Sequence, residues 1–432
     1  MKRALILLAA TFAFTTAVDG QTVAASKFSV SGIPVIFKPG RANDVVAVRL
    51  YIRGGSANLT AANAGIEDLM LQSATHGTAK YDKDAFNEKL VETGTSINSS
   101  ADYDYSTLSL QAVRQNWNEA WDLYTQAALH PTFPAAEVEL VRSQLVDAAK
   151  RIPDDPDSYI FYLADSSLYA GHPYAARPTG TPTSMASISR QALTDWHRQR
   201  FTKENLLIVV VGNVQRDDLV QKISSSFGQL PARGGGAATP PALKSVSPDV
   251  MVVTRELPTN YVLGFFAAPP PSSADFAAMR VATDVLSQRL FEEVRTKRNL
   301  TYAVGASLSD RAVNSGNLYV TAVEPDTTMK VIFSEVRRLQ REPLSPSDLA
   351  ENVNTFLTQF WITQQSNMGQ ARQLGLFELL GGGYQNVNRF AEMVRQVTPA
   401  DVQRVASRYM QHARFAVIGD SAKVHRALFT SF

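Results

Sequence analysis

Two segments of this chain end in the same way, and that repetition constrains the fold more than any other feature of the sequence. Residues 189–212 place Leu193, Trp196, His197 and Phe201 at helical spacing and then run into Leu206-Leu207-Ile208-Val209-Val210-Val211-Gly212, a strand pattern. Residues 398–419 repeat the plan, with Val402, Val405 and Tyr409 on the helical face and Phe415-Ala416-Val417-Ile418-Gly419 as the strand. The terminal glycines lie 207 residues apart. A second pair keeps nearly the same period: strand 107–113, helix 117–129 and Pro134 in one half, strand 317–323, helix 328–339 and Pro346 in the other. Two matches in the same order predict a duplicated unit.

Each half also carries an inner strand, Val45–Arg53 in the first and Tyr261–Ala267 in the second. Val35–Phe37 is a further short strand. A polar, serine-rich strand is expected over Ile97–Tyr105, and a helix over Ala274–Val294 with Met279, Ala282, Leu286, Leu290 and Val294 on one face. Strands and helices mix without strict βαβ alternation, so the expected class is α+β, with a largely antiparallel sheet in each of two homologous halves. The Gly- and Pro-rich run 232–242 supports no regular element. The expected division is a first domain over 27–231, a linker over 232–246 and a second domain over 247–432.

Lys2 and Arg3 precede an apolar run from Ala4 to Val18 and then small residues, the pattern of a secretory signal peptide over 1–20, with cleavage as late as residue 25. Fifteen residues with three threonines fall short of the ~20 apolar residues of a spanning helix. The expected location is the periplasm, with no membrane attachment after cleavage. Lys+Arg 42 against Asp+Glu 40 supplies no positive field for nucleic acid. The absence of cysteine removes disulfides, thiolate metal sites and cysteine nucleophiles.

Local motifs for catalysis are missing. The six histidines stand at least 13 residues apart, so neither H-E-x-x-H nor its inverse can be written. No G-x-S-x-G occurs, and Gly234–Gly236 and Gly381–Gly383 read as a linker and a helix stop rather than phosphate loops. Asp154, Asp155 and Asp157 around Pro156 read as a solvated helix-breaking turn.

The order of segments nevertheless carries a resemblance. Strand 45–55 followed by Gly65-Ile66-Glu67-Asp68-Leu69-Met70-Leu71-Gln72-Ser73-Ala74-Thr75-His76-Gly77-Thr78 resembles the opening of the pitrilysin-type (inverzincin) zinc peptidases, whose metal helix reads G-L-x-H-x-x-E-H-M-x-x-x-G-T. Gly65 and Gly77-Thr78 match its ends. Asp68 stands at the first His ligand, Leu71 at the general-base Glu and Gln72 at the second His, while the third ligand falls near Asp147 or Ala148. Leu71 cannot activate water, so the resemblance implies a degenerate helix and no metal in this chain. Gly171-His172-Pro173-Tyr174 with Pro178-Thr179-Gly180-Thr181 is similar to a further family segment.

Leu290-Phe291-Glu292-Glu293-Val294-Arg295-Thr296-Lys297-Arg298-Asn299-Leu300-Thr301-Tyr302 resembles the family block LFxxVRxKxxLxY. The resemblance implies paired α+β halves in a clam-shell arrangement, with Arg295 and Tyr302 holding the scissile region of a peptide. Both are donors suited to an oxyanion, and a helix end and a strand start joined by a polar turn are expected to aim them into one cavity. A chain with this pair but without the metal helix is similar to the non-catalytic subunit of periplasmic heterodimeric members, in which a homologous partner carries the zinc. Asn98, Ser99 and Ser100, within Ile97–Ala101, stand where the family pairs an edge strand with extended substrate. The alternative implied by the same fold is an inactive peptide-binding or structural protein.

Overall fold

The computed structural model describes residues 24–232, 238–244 and 246–432, so the expected signal peptide and the glycine run 234–236 lie outside the described residues. Among those described, no helix is long and apolar enough to cross a membrane.

Eleven strands form two sheets. The first joins β1 (Ser26–Val30), β2 (Ile33–Pro39), β3 (Val45–Arg53), β4 (Ser96–Ala101), β5 (Tyr105–Val113) and β6 (Leu206–Gly212) in the order β1-β2-β6-β3-β5-β4. The second joins β7 (Asp249–Thr254), β8 (Asn260–Ala267), β9 (Val304–Leu308), β10 (Ser315–Ala322) and β11 (Arg414–Gly419) in the order β7-β11-β8-β10-β9. With β1 set aside, the two orders are the same. Each sheet contains one parallel pair, β2 with β6 and β7 with β11, and is otherwise antiparallel. The expected α+β class with two homologous halves is the one observed.

The repeat extends to the register. Ile208, Leu50, Leu108 and Ser99 are successive partners across the first sheet, and Phe415, Gly264, Leu318 and Ala306 across the second. The terminal glycines owe their recurrence to backbone geometry. Gly212 has φ 146° and Gly419 φ 150°, a region open mainly to glycine. A Cβ on Gly212 would sit 2.8 Å from the Val45 carbonyl oxygen, and one on Gly419 would strike the Asn260 side chain.

Some boundaries differ from expectation. The polar strand read over 97–105 ends at Ala101, and Tyr105 already opens β5, because Asp102 turns the chain: its carboxylate accepts from the Tyr103 N–H at 2.7 Å and its N–H bonds the Tyr105 carbonyl at 3.0 Å. The helix read over 274–294 is α-helical over Phe276–Leu290 and then widens into a π-helical turn, Phe291–Thr296. Asp155 caps the helix Pro156–Leu168, accepting from the Ser158 N–H at 3.0 Å, so the acidic turn does start a helix. Gly382 and Gly383, at φ 75° and 124°, close the helix Asn367–Leu380.

The halves interlock. Helix 156–168 of the first half packs on β8 and β11 of the second sheet, and helix 367–380 of the second half packs on β3 and β6 of the first. Phe161 stacks on Tyr319 at 6.2 Å and meets Phe265 edge-on at 6.4 Å. In return, the Tyr51 hydroxyl donates to the Arg372 carbonyl at 3.2 Å, and Gly375 lies so close that any Cβ there would penetrate the Tyr51 ring. A polar lock completes the contact. Arg311 reaches Asp165 at 3.1 Å, with its guanidinium 3.9 Å from the Tyr103 ring, while the Ala312 N–H bonds Asp104 at 2.9 Å.

Candidate functional site

Helix Ile66–Ser73 occupies the place of the metal helix. Gly65 precedes it at φ 91°, and a Cβ there would come within 2.9 Å of the Gly180 Cα, so two glycines from the separate family-like segments meet backbone to backbone. Leu71 is 2% exposed within the first core, with Leu69 and Met70. Asp68 is buried and its Oδ1 accepts from Gln72 Nε2 at 2.8 Å. Burial raises the Asp68 carboxyl, and the Gln72 amide opposes that rise. Asp147 and Ala148 are exposed on helix Ala135–Arg151.

Glu67, which sequence reasoning left unassigned, is the most buried carboxylate of this helix. It accepts from Ser106 Oγ and from Trp196 Nε1 at 3.3 Å, and pairs with Arg200 at 3.5 Å. Burial raises it, while Ser106, Arg200 and Trp196 pull the other way. These partners make it an anchor of the helix against β5 and helix Arg190–Arg200. In the sequence it stands between Ile66 and Asp68 in the first turn of the helix, which gives no signal of this role.

The residues at the ligand positions do not fit the zinc that the family implies. Asp68 and Gln72 satisfy each other, the base position is a packed leucine, and no group of three or more His, Asp or Glu suited to a metal occurs among the described residues.

Arg295 and Tyr302 are brought together. The π-helical turn Phe291–Thr296 holds Arg295, Asn299 reverses the chain at φ 50°, and Tyr302 arrives just before β9. The Arg295 guanidinium sits 4.6 Å from the Tyr302 ring and 4.8 Å from the Phe291 ring, a cation between two aromatic rings. Glu293 pairs with Lys297 at 2.7 Å and Arg298 at 2.6 Å, which hold its carboxyl down to about 2. It is thus spent on the neighbouring cations. Among the described residues, neither the Arg295 guanidinium nor the Tyr302 hydroxyl has a hydrogen-bond partner. The expected shared cavity is not formed among the described residues: Tyr302 is 82% exposed and Phe291 47%, because no described element covers the turn. Phe291 was not singled out from the sequence, although its i, i+4 spacing to Arg295 is a legible signal.

Asn98, Ser99 and Ser100 lie on β4, the outer strand of the first sheet. Asn98 and Ser100 face solvent, and Ile97, Ser99 and Ala101 are half-buried. The outer edge of this strand forms no backbone bond to any other described element.

Residues 35–181 match the family model described as Insulinase (Peptidase family M16), and residues 187–356 match that of the Peptidase M16 inactive domain. An uncharacterized zinc protease of Mycobacterium tuberculosis is 26% identical over 313 residues, covering 69% of this chain and 71% of that protein. The non-peptidase homolog YmxG of Helicobacter pylori is 23% identical over 279 residues, covering 63% and 64%. Among solved structures, a peptidase M16 inactive domain from Pseudomonas fluorescens superposes with TM-score 0.86 at 19% identity, over 92% of this chain and 98% of that one. The periplasmic protease PqqL of Escherichia coli superposes with TM-score 0.77 at 16% identity, over 97% of this chain and 49% of PqqL. The chain is thus matched by both family models in sequence and by solved structures in fold, and it belongs to peptidase family M16, the pitrilysin-type family.

Proposed function

We propose that this chain is the non-catalytic subunit of a heterodimeric periplasmic zinc endopeptidase. It lends Arg295 and Tyr302 to an active site whose metal is held by a homologous partner subunit. The observation that carries the reading is the contrast between the two candidate sites. The ligand positions of helix 66–73 are saturated or apolar, whereas the Arg295–Tyr302 stack presents unused donors to solvent. A guanidinium and a phenol pre-positioned by stacking need little reorganisation to donate to a carbonyl oxygen as it gains charge. The halves pack helix on sheet across their boundary, and the peptide cleft would lie between this chain and its partner. An extended peptide would add along β4, beside Asn98, Ser99 and Ser100.

The test is purification of the assembly from its native compartment, followed by turnover of wild type and of Arg295→Ala and Tyr302→Phe. The expected result is a second chain of similar size, about one zinc per pair, and a fall in turnover in both variants. Unchanged turnover in both would overturn the reading. The alternative, an inactive binding or structural protein, draws support from the non-peptidase homolog among the relatives and from the open β4 edge. Peptide binding by the chain alone, with no activity in any assembly, would favour it.

A further inference from the structure

We propose that a cleft in the second half, between helix 276–290 and the helices Pro346–Thr363, Asn367–Leu380 and Asn386–Arg395, binds a small organic ammonium ion with an aromatic or alkyl body. The cleft encloses about 490 Å³, within the size range of small-molecule sites. Its apolar wall is aromatic: Phe276, Phe356, Phe360 and Phe377 surround Phe390 with ring centroids 5.4–5.9 Å from it. Such a wall suits an apolar body, and ring faces attract a cation.

The polar groups set the charge. Arg280, Asp284 and Asp310 line the cleft, two carboxylates against one guanidinium. Arg280 is committed to Asp310 and to the Leu308 carbonyl at 2.8 Å. Asp284 is left with no hydrogen bond or ion pair among the described residues. Asn352 also lines the cleft and is 8% exposed. Its Nδ2 donates to the Asp348 carbonyl at 2.8 Å, and its Oδ1 is buried with no partner. Buried acceptors are rarely left unpaired. Two acceptors and a net negative charge in an aromatic pocket call for a ligand that brings N–H donors and a positive charge. A divalent metal would need more oxygen ligands than this set offers, and no metal-binding group of three occurs among the described residues.

The position of the cleft sharpens the argument. Asp284-x-x-Ser287-Gln288 repeats the spacing of Asp68-x-x-Leu71-Gln72, and Ala306 on the cleft wall is the register counterpart of Ser99. The cleft is therefore the second-half counterpart of the degenerate metal face. In the first half Gln72 bonds Asp68 and closes the position. In the second, Gln288 does not bond Asp284, and Ser287 Oγ instead accepts from the Ala306 N–H at 3.2 Å. The carboxylate stays open, and the inference is independent of the subunit reading above.

The experiment is calorimetric titration of the full chain with phenethylammonium and with its neutral analogue 2-phenylethanol, on wild type, Asp284→Asn and Phe356→Ala. Saturable binding of the ammonium to wild type is expected, weakened at least about tenfold by loss of charge on either side and also weakened in Phe356→Ala. No saturable binding to wild type, or equal affinity for the alcohol, would overturn the proposal. That comparison needs no variant, so it holds even if a substitution disturbs folding. Equal affinity in Asp284→Asn, with its fold verified by circular dichroism, would overturn it as well.

Discussion

The two halves share one sheet order and one register but treat the same helix in opposite ways. In the first half, helix 66–73 is sealed: Glu67 is anchored by Ser106, Trp196 and Arg200, and Asp68 is answered by Gln72. In the second, helix 276–290 leaves Asp284 unanswered over an aromatic cleft and runs on into the turn that displays Arg295. The edges differ too. On β9 the Ala306 N–H is taken by Ser287, while β4 is free along its outer side. A duplicated scaffold can lose chemistry in one copy and keep or acquire it in the other, because sheet order is decided by the apolar core and not by the few polar positions that face a cleft.

Four measurements would break or sharpen that comparison. The largest effect is expected at the exposed pair. In the proposed heterodimer, Arg295→Ala should lower turnover by about 10²–10³, with an unchanged melting temperature, and steady-state kinetics with parallel melting curves would show it. An equal loss from a substitution on helix 66–73 that leaves folding intact would erase the asymmetry.

Next is the anchor of the sealed helix. Glu67→Ala removes the shared acceptor of Ser106, Trp196 and Arg200 and should cost about 3–5 kcal/mol in denaturant unfolding. At the matching second-half position, Thr283→Val removes only a hydroxyl bonded to the Met279 carbonyl at 2.8 Å and should cost about 1 kcal/mol. Similar losses at both positions would break the contrast.

The third is a pH dependence. Burial pushes Asp284 up to about 6, opposed by Arg280. The charged groups facing it are Arg280 on its own helix and Asp310 beyond β9, and the helices 346–363, 367–380 and 386–395 face it with neutral residues. Because the folded carboxyl holds its proton more tightly than the unfolded one, the ionised form costs stability. That cost is absent below about pH 4 and complete above about pH 6. Asp284→Asn should therefore raise stability at pH 7 by on the order of 2 kcal/mol and leave it unchanged at pH 3.5, as read from unfolding curves without ligand. A stabilisation that does not fade in acid would remove the buried charge from the argument.

The smallest effect is at the free edge. Asn98→Lys on solvent-facing β4 should change stability by less than about 0.5 kcal/mol yet weaken peptide binding several-fold, since lysine discourages strand addition. Unchanged peptide affinity would move the binding surface away from β4.

Much of the fold was legible because apolar alternation and helical spacing are local. The bounds of β3 follow from its apolar alternation and those of β6 from an uninterrupted run of Leu, Ile and Val. The Arg295–Tyr302 pair could be read from one contiguous block. The end of the polar strand at Ala101 was harder to read, since a short Asp-Tyr-Asp turn gives no hydrophobic signal. Glu67 and Asp284 were missed for another reason: each acquires its meaning from neighbours that the fold, rather than its own segment, supplies.

The sequence by itself determined the duplication, the fold class and the loss of metal ligands, since glycines forced by backbone geometry, apolar periodicity and residue identity at motif positions are properties of the chain. Only the tertiary structure decided that the halves exchange helices across their sheets, that Asp68 is silenced while Asp284 is not, and that the Arg295–Tyr302 stack stands open to solvent. The exchange of helices depends on which groups meet across more than a hundred residues of chain, and the other two outcomes on burial and side-chain geometry within a segment; none is set by local propensity.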